Sequence, residues 1–243
     1  MVKEVFKIEQ DELDLLSEDI RNVKVIIKND RNIEHYRDIS SKKEFDYQKN
    51  RWNSKKQMYS GIIMSENIID YKSVISWADV GCGTGNFFEY ILPKYKNIKN
   101  VTGIDAVKEF TEITSDKIKK LDLNVDKKFI HSPIHDISIT EKFDLVTLSG
   151  VLQVLDLDKI YQTFDVLTSL VNENGQLWIN TANYNFRGVS KRRKGGIYRF
   201  KPKELELILN KYDFTIIDSK PYTIDSGYAL NEKCEFVYLY GKK

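Results

Sequence analysis

Two hydrophobic rhythms alternate along this chain from Gly61 onward: short apolar runs, and longer stretches whose apolar residues recur at helical spacing. Ile62 to Tyr71 reads as a helix, leading to a first strand at about 74–80. A helix then reaches Pro93. A second strand over about 100–105 precedes a helix over Val107–Leu121. Lys128–His131 reads as a short third strand and Phe143–Ser149 as the fourth. Leu157 to Leu170 is a helix, and Gly175–Thr181 is a fifth strand. Pro202 opens a helix to about Lys211, since proline is harmless in a first turn. Phe214–Asp218 and Cys234–Leu239 are the last two strands. This alternation predicts an α/β fold with a mostly parallel sheet and helices on both faces. Two strands with no full helix between them predict a closing hairpin.

Residues 1–60 follow neither rhythm consistently. Leu13, Leu16 and Ile20 have helical spacing, and Val23–Ile27 is either a short strand or a continuation of that helix. Phe45, Tyr47, Trp52, Met58 and Tyr59 lie among many lysines. The division expected is an appendage over 1–60, serving as a helical cap, and a body over 61–243. The alternative role for the appendage is packing of its aromatics on the outer face of the sheet.

Composition narrows the class. The chain has 243 residues, 41% hydrophobic and 30% charged, as in a soluble globular protein. No apolar run is long enough to span a membrane, and the N-terminus lacks a signal-peptide pattern. Cys82 and Cys234 suggest no disulfide framework, so a cytoplasmic setting is expected. A net charge of +2 argues against a nucleic-acid partner. The histidines and cysteines lack metal-ligand spacing, so no metal is expected.

The chemistry concentrates where the first strand ends, in Asp79-Val80-Gly81-Cys82-Gly83-Thr84-Gly85-Asn86. Glycines there admit positive φ and let backbone approach a ligand closely. Asp105 closes the second strand, 20 residues after Gly85, where a carboxylate reaches ribose hydroxyls. The spacing G-x-G-x-G does not complete the dinucleotide fingerprint G-x-G-x-x-G. The octapeptide instead closely resembles the first motif of class I S-adenosylmethionine-dependent methyltransferases. Gly103-Ile104-Asp105, Ser132–Ile137 and Phe143–Val146 with Ser149–Leu155 resemble the later motifs. The resemblance covers about residues 60–240.

The resemblance implies a Rossmann-like seven-stranded sheet of order 3-2-1-4-5-7-6, with the last strand antiparallel. It implies S-adenosylmethionine as cofactor and S-adenosylhomocysteine as product. Asp79, Gly81, Cys82, Gly83, Gly85 and Asn86 then form the loop under the cofactor. Asp105 and Ala106 meet the ribose, Asp136 and Ile137 the adenine, and Ser149 and Gln153 the methionine half. Arg51, Trp52 and Tyr59 are candidates to close over its methionine end from the cap.

Many relatives carry histidine at the position of Val154, and this chain does not. Candidates for a catalytic base are His35, His135 and Tyr184. Tyr198 and Tyr228 are further candidates, and His131 reads as a packing residue at the end of the third strand. On the acceptor side, the segment from Asn183 to Phe200 carries only positive charge: Arg187, Lys191, Arg192, Arg193, Lys194 and Arg199. With Tyr184 and Tyr198, residues Arg187, Arg192 and Arg199 are the candidate substrate contacts for an acidic or nucleotide-linked small molecule. Methylation of an oxygen or nitrogen of such a metabolite, by a monomer or homodimer, is the leading expectation. RNA methylation and non-catalytic cofactor binding are the alternatives. Against RNA stands the lack of an Asn/Asp-Pro-Pro-Tyr-type motif.

Overall fold

The computed structural model describes residues 60–155, 157–182, 199–225 and 233–243. The cap expected over 1–60 therefore lies almost wholly outside the described residues. The body opens with α1 (Ser60–Glu66) and continues through β1 (Ser76–Val80), α2 (Asn86–Ile91), β2 (Asn100–Asp105) and α3 (Lys108–Lys119). Then come β3 (Asp126–His131), β4 (Phe143–Ser149), α4 (Leu157–Ser169), β5 (Val171–Ala182), α5 (Pro202–Leu209), β6 (Thr215–Asp225) and β7 (Lys233–Lys242).

The seven strands form one sheet in the order β3-β2-β1-β4-β5-β7-β6. β3, β2, β1, β4 and β5 pair in parallel, and β7 runs antiparallel to both β5 and β6. Central strands of a parallel sheet are covered on both faces, so they read as nearly unbroken apolar runs. β1 and β4 follow this rule, with almost every residue buried. β3 lies at an edge and alternates, with Asp126 and Lys128 exposed. Charges there discourage pairing with another sheet.

Period-two alternation separates two cores. Ala78, Val80, Val146, Leu148, Leu177, Ile179, Val237 and Leu239 face α4 and α5, which contribute Ile160, Phe164, Leu167, Leu205 and Ile208. Their neighbours Trp77, Leu145, Trp178, Tyr238 and Tyr240 face the other way, toward Phe87, Phe88 and Ile91 of α2 and Ile118 of α3. This second core is aromatic. Trp77 meets Phe88 edge-on at 4.6 Å and Phe87 at 5.0 Å, and Phe87 meets Trp178 at 5.6 Å. Edge-to-face pairs of this kind add to simple area burial.

Three boundaries differ from the sequence expectation by four residues or more. The helix expected over Ile62–Tyr71 stops at Glu66, and a short 3-10 turn follows at Tyr71–Ser73. β5 begins at Val171 rather than Gly175, because Val171 pairs with Phe143 before the chain bulges out and re-enters at Gln176 opposite Leu145. Gly175 closes that bulge, where a Cβ would lie 2.9 Å from the Asn172 carbonyl oxygen. β6 runs on to Asp225, because the hairpin partner β7 extends it beyond its own apolar run.

At the end of the sheet opposite the glycine turn, Asp144 ties three strands together. Its carboxylate accepts the N–H groups of Ile75 (3.0 Å) and Ser76 (2.9 Å), the Ser76 hydroxyl (3.0 Å) and the Asn172 amide (2.9 Å). Partial burial alone would raise its pKa, but the Asn172, Ser76 and Ile75 donors outweigh it and hold the carboxyl below its usual value. A depressed native pKa means that the stabilisation exists above the unfolded value and is lost as pH falls through the folded one. Asp144→Ala is therefore expected to cost about 2 kcal/mol at neutral pH, by leaving donors unsatisfied. The gap to wild type should narrow as pH falls below the ordinary aspartate value of 3.8. Urea unfolding of both proteins across that range checks it, and a gap constant with pH contradicts it.

Candidate active site

The turn after β1 uses left-handed backbone three times, at Gly81 (φ 71°), Gly83 (φ 52°) and Gly85 (φ 74°). Non-glycine residues are strained there. The N–H groups of Gly81 and Cys82 both donate to the Ile104 carbonyl, at 2.7 and 3.0 Å, which folds the turn onto β2. A Cβ on Gly81 would lie 2.1 Å from Val151 Cγ2, and one on Gly85 2.7 Å from Thr114 Cγ2. Those two glycines serve packing: the first against the loop after β4, the second against α3.

Gly83 differs. A Cβ there would meet nothing within 4 Å, and the same is true of Gly150 (φ 73°) after β4. The contact of Gly81 with Val151 brings their two loops side by side. Positive φ beside open space at both positions makes a cradle whose walls are bare backbone.

Asp105, at the end of β2, organises this cradle. One carboxylate oxygen accepts Gly83 N–H at 2.9 Å, and the other accepts Val107 N–H at 2.9 Å, at the start of α3. Its backbone carbonyl accepts Ser132 N–H at 2.9 Å, so the turn after β3 is fastened to the same residue. Burial pushes its carboxyl pKa up, while the Val107 and Gly83 amides pull it back. A carboxylate offers about four lone-pair sites. The Gly83 and Val107 amides take two and the Ala106 amide also draws on the carboxylate, which leaves some acceptor capacity for ligand hydroxyls.

Asp79 lies below the turn on the aromatic face, 3% exposed. The Thr147 hydroxyl donates to it at 2.7 Å and accepts Trp77 Nε1–H at 2.8 Å. Burial raises the Asp79 pKa to about 7, against the pull of Thr147 and with a further push from the Asp105 charge. A buried carboxyl whose pKa is raised toward neutrality is a candidate functional group.

The remaining expected residues are distributed as follows. Cys82 is buried beneath the turn, and burial pushes its thiol pKa up, so the side chain packs and only its backbone borders the loop. Asn86 opens α2, and its side-chain oxygen accepts Lys117 Nζ at 2.7 Å. The Ala106 carbonyl is 3.1 Å from His131 Nε2. Asp136 and His135 belong to the turn Ile134–Asp136, followed by Ile137. The Asp136 side chain is 65% exposed and His135 is 20% exposed. His135 Nδ1 is buried with no hydrogen-bond partner. This turn follows β3, which β2, β1 and β4 separate from β5.

At the end of β4, the Ser149 hydroxyl accepts Asn180 Nδ2–H at 3.2 Å and Gly150 N–H donates to the Asn180 carbonyl at 2.9 Å. Gln153 Oε1 accepts the Ala182 N–H at 2.8 Å, so this amide seals the end of β5. Phe200 N–H donates to the Ala182 carbonyl at 2.9 Å, which brings both ends of the basic segment together at the same point. Arg199 is at that junction and is partly buried. His35, Arg51, Trp52, Tyr59, Tyr184, Arg187, Arg192, Tyr198 and Tyr228 lie outside the described residues. Sequence reasoning missed Thr147, Asn180 and Tyr222. Polar residues inside apolar strands were the available signal, because burying them requires partners.

Residues 78–175 match the family described as Methyltransferase domain. Over this stretch, somewhat less than half of its length, the chain is similar to a methyltransferase domain. The match begins in β1 and reaches the bulge of β5, so it contains the glycine turn, Asp105, Asp136 and the end of β4. Among curated proteins, malonyl-[acyl-carrier protein] O-methyltransferase 2 of Ilyobacter polytropus is 31% identical over 115 residues, which are 47% of this chain and 42% of that protein. The chain thus aligns with less than half the length of this relative. Among solved structures, N-methyltransferase NodS of Bradyrhizobium japonicum superposes with a TM-score of 0.60 at 18% identity, covering 79% of this chain and 99% of that one. Magnesium protoporphyrin IX methyltransferase of Synechocystis, with bound S-adenosylmethionine, gives 0.60 at 15% identity, covering 87% and 96%. These two likenesses concern the fold of the methyltransferase domain.

The glycines separate two kinds of effect. Gly81→Ala drives a Cβ into Val151 and is expected to lose more than ~2 kcal/mol of stability. Gly83→Ala adds only the conformational strain of about 1–2 kcal/mol, but puts a methyl group into the cradle. It should fold and lose affinity for S-adenosylhomocysteine. Thermal unfolding with calorimetric titration checks both, and loss of folding at Gly83 rather than Gly81 contradicts the assignment.

Proposed function

We propose that the protein transfers the methyl group of S-adenosylmethionine to an oxygen of a small acidic metabolite, with a carboxylate as the leading acceptor. The observation carrying this reading is the bare-backbone cradle of Gly83 and Gly150 joined to Asp105 and its spare lone pairs. Asp105 accepts the ribose hydroxyls, with Ala106 beside it. Asp136 accepts from the adenine amino group, and Ile137 N–H donates to a ring nitrogen. Asp79 attracts the cofactor's ammonium group, and Ser149 borders the methionine half.

When bound, the cofactor supplies a methyl group on a sulfonium whose departure leaves a neutral thioether. The protein aligns the acceptor's lone pair with that methyl and excludes water. A hydroxyl or ammonium acceptor would also need a base. Among the described residues at the ends of β4 and β5 there is no histidine and no carboxylate. A carboxylate acceptor arrives already deprotonated and needs neither. Arg187, Arg192 and Arg199, with Tyr184 and Tyr198, form a basic and aromatic segment suited to hold it. The malonyl-[acyl-carrier protein] relative is named for O-methylation, in keeping with this acceptor class.

Incubation with methyl-labelled cofactor and a panel of carboxylated metabolites is expected to yield labelled product that releases methanol in mild base. Base-stable product with amines or RNA would overturn the carboxylate reading.

The charge state of Asp79 makes a second expectation. In the free protein its pKa is raised from 3.8 to about 7. The raised value favours the protonated form, so this group's contribution to stability is largest below 3.8 and declines as pH rises to about 7. A cationic ligand beside it favours the ionised form. Affinity for S-adenosylhomocysteine should therefore rise with pH, by up to roughly tenfold per unit, and level off above about 7. Below that plateau, binding should release a proton, read by calorimetry in buffers of different ionisation heat. A flat pH profile would show that Asp79 does not meet the charge.

A further inference from the structure

We propose that Tyr222 and Asn180 are positioning residues that turn the Ser149 hydroxyl proton toward the α-carboxylate of the cofactor's amino-acid end. The inference rests on the S-adenosylmethionine reading above. It adds a role for the antiparallel hairpin of β6 and β7.

The chain of contacts is continuous. Tyr222, on β6, donates its hydroxyl to Asn180 Oδ1 at 2.8 Å. Asn180, near the end of β5, is 5% exposed and donates Nδ2–H to Ser149 Oγ at 3.2 Å. Burial pushes the Tyr222 phenol pKa up, so the hydroxyl keeps its proton and remains a donor. The ring stacks on Phe236 of β7 at 5.7 Å. Gly61 of α1 lies over the pair, where a Cβ would be 3.1 Å from the Tyr222 hydroxyl and 3.2 Å from Asn180 Nδ2. A side chain at position 61 would crowd both groups, which would have to yield by a few tenths of an ångström.

The polarity follows from donor and acceptor inventory. An amide presents its oxygen on one side and its NH₂ on the other. Tyr222 occupies the oxygen, so the NH₂ side faces Ser149. The serine oxygen is then an acceptor toward Asn180, and its own proton is left for another partner. Among the described residues no hydrogen bond uses that proton. Ser149 is partly exposed, next to Gly150 with its open space. It lies two residues beyond Thr147, the partner of Asp79. Asp79 and Ser149 thus offer a carboxylate and a hydroxyl donor from one face of the sheet, complementary to the ammonium and carboxylate of an amino acid.

The test compares S-adenosylhomocysteine with 5′-methylthioadenosine, which lacks the amino-acid end, by calorimetry on the full chain. Ser149→Ala should weaken S-adenosylhomocysteine roughly tenfold, as for a lost hydrogen bond to a charged group, and leave methylthioadenosine unchanged. Asn180→Asp keeps the acceptor for Tyr222 but makes the group facing Ser149 an acceptor too, drawing the serine proton inward. It should lose at least as much. Tyr222→Phe should lose about threefold, and combined with Ser149→Ala should add nothing, since both act through one proton. Equal losses on both ligands, or additive losses in the double variant, would mean a structural role and overturn the proposal. Wild type that binds neither ligand would instead overturn the cofactor reading itself.

Discussion

The Asp105 carboxylate is the constraint on which the site's geometry depends. Through its two oxygens and its backbone carbonyl, it holds the glycine turn, the start of α3 and the turn after β3. Three loops from three strands would otherwise vary independently, since connecting segments have few contacts of their own. With Asp105 in place, Gly83 is held facing open space and Ser132 is held close to the second strand. The carboxylate is kept partly buried at an electrostatic cost, visible as its raised pKa. That cost is offset by the two backbone donors, which satisfy the charge without consuming all of its acceptor capacity.

Much of this was legible in the sequence. The strand, glycine turn and helix from Val74 to Leu92 agree at every level: apolar run, positive-φ residues and amphipathic follow-on. Asp105 and the fourth strand were equally plain, with Phe143–Ser149 matching β4 residue for residue. The places where reading failed have a common cause. β5 gained Val171 and β6 gained residues up to Asp225 because pairing partners, not local pattern, extended them. A strand's length depends on its neighbour's, and periodicity within one segment carries no such information.

The site residues divided in the same way. The glycines of the turn, Gly81, Gly83 and Gly85, are legible from the motif because they act through backbone conformation, and Asp105 is legible from its spacing at the end of the second strand. Residues acting through a partner on another strand are not. Thr147 means nothing until Asp79 lies opposite it in register, and Asn180 and Tyr222 are brought together only by the inserted position of β7. Gln153 shows the converse. The resemblance of its loop to the fourth-strand motif implies a ligand contact, and the structure adds that its amide oxygen accepts the Ala182 N–H.

The sheet order has a consequence for how such a chain comes into being. β7 follows β6 in the sequence but lies inside it in the sheet. During synthesis β5 and β6 are therefore both made before β7, the strand that lies between them in the finished sheet. A bare edge on a long apolar strand is a template for pairing with other chains. An edge of β5 left open until β7 is made would carry that hazard, and the same insertion brings Tyr222 to Asn180.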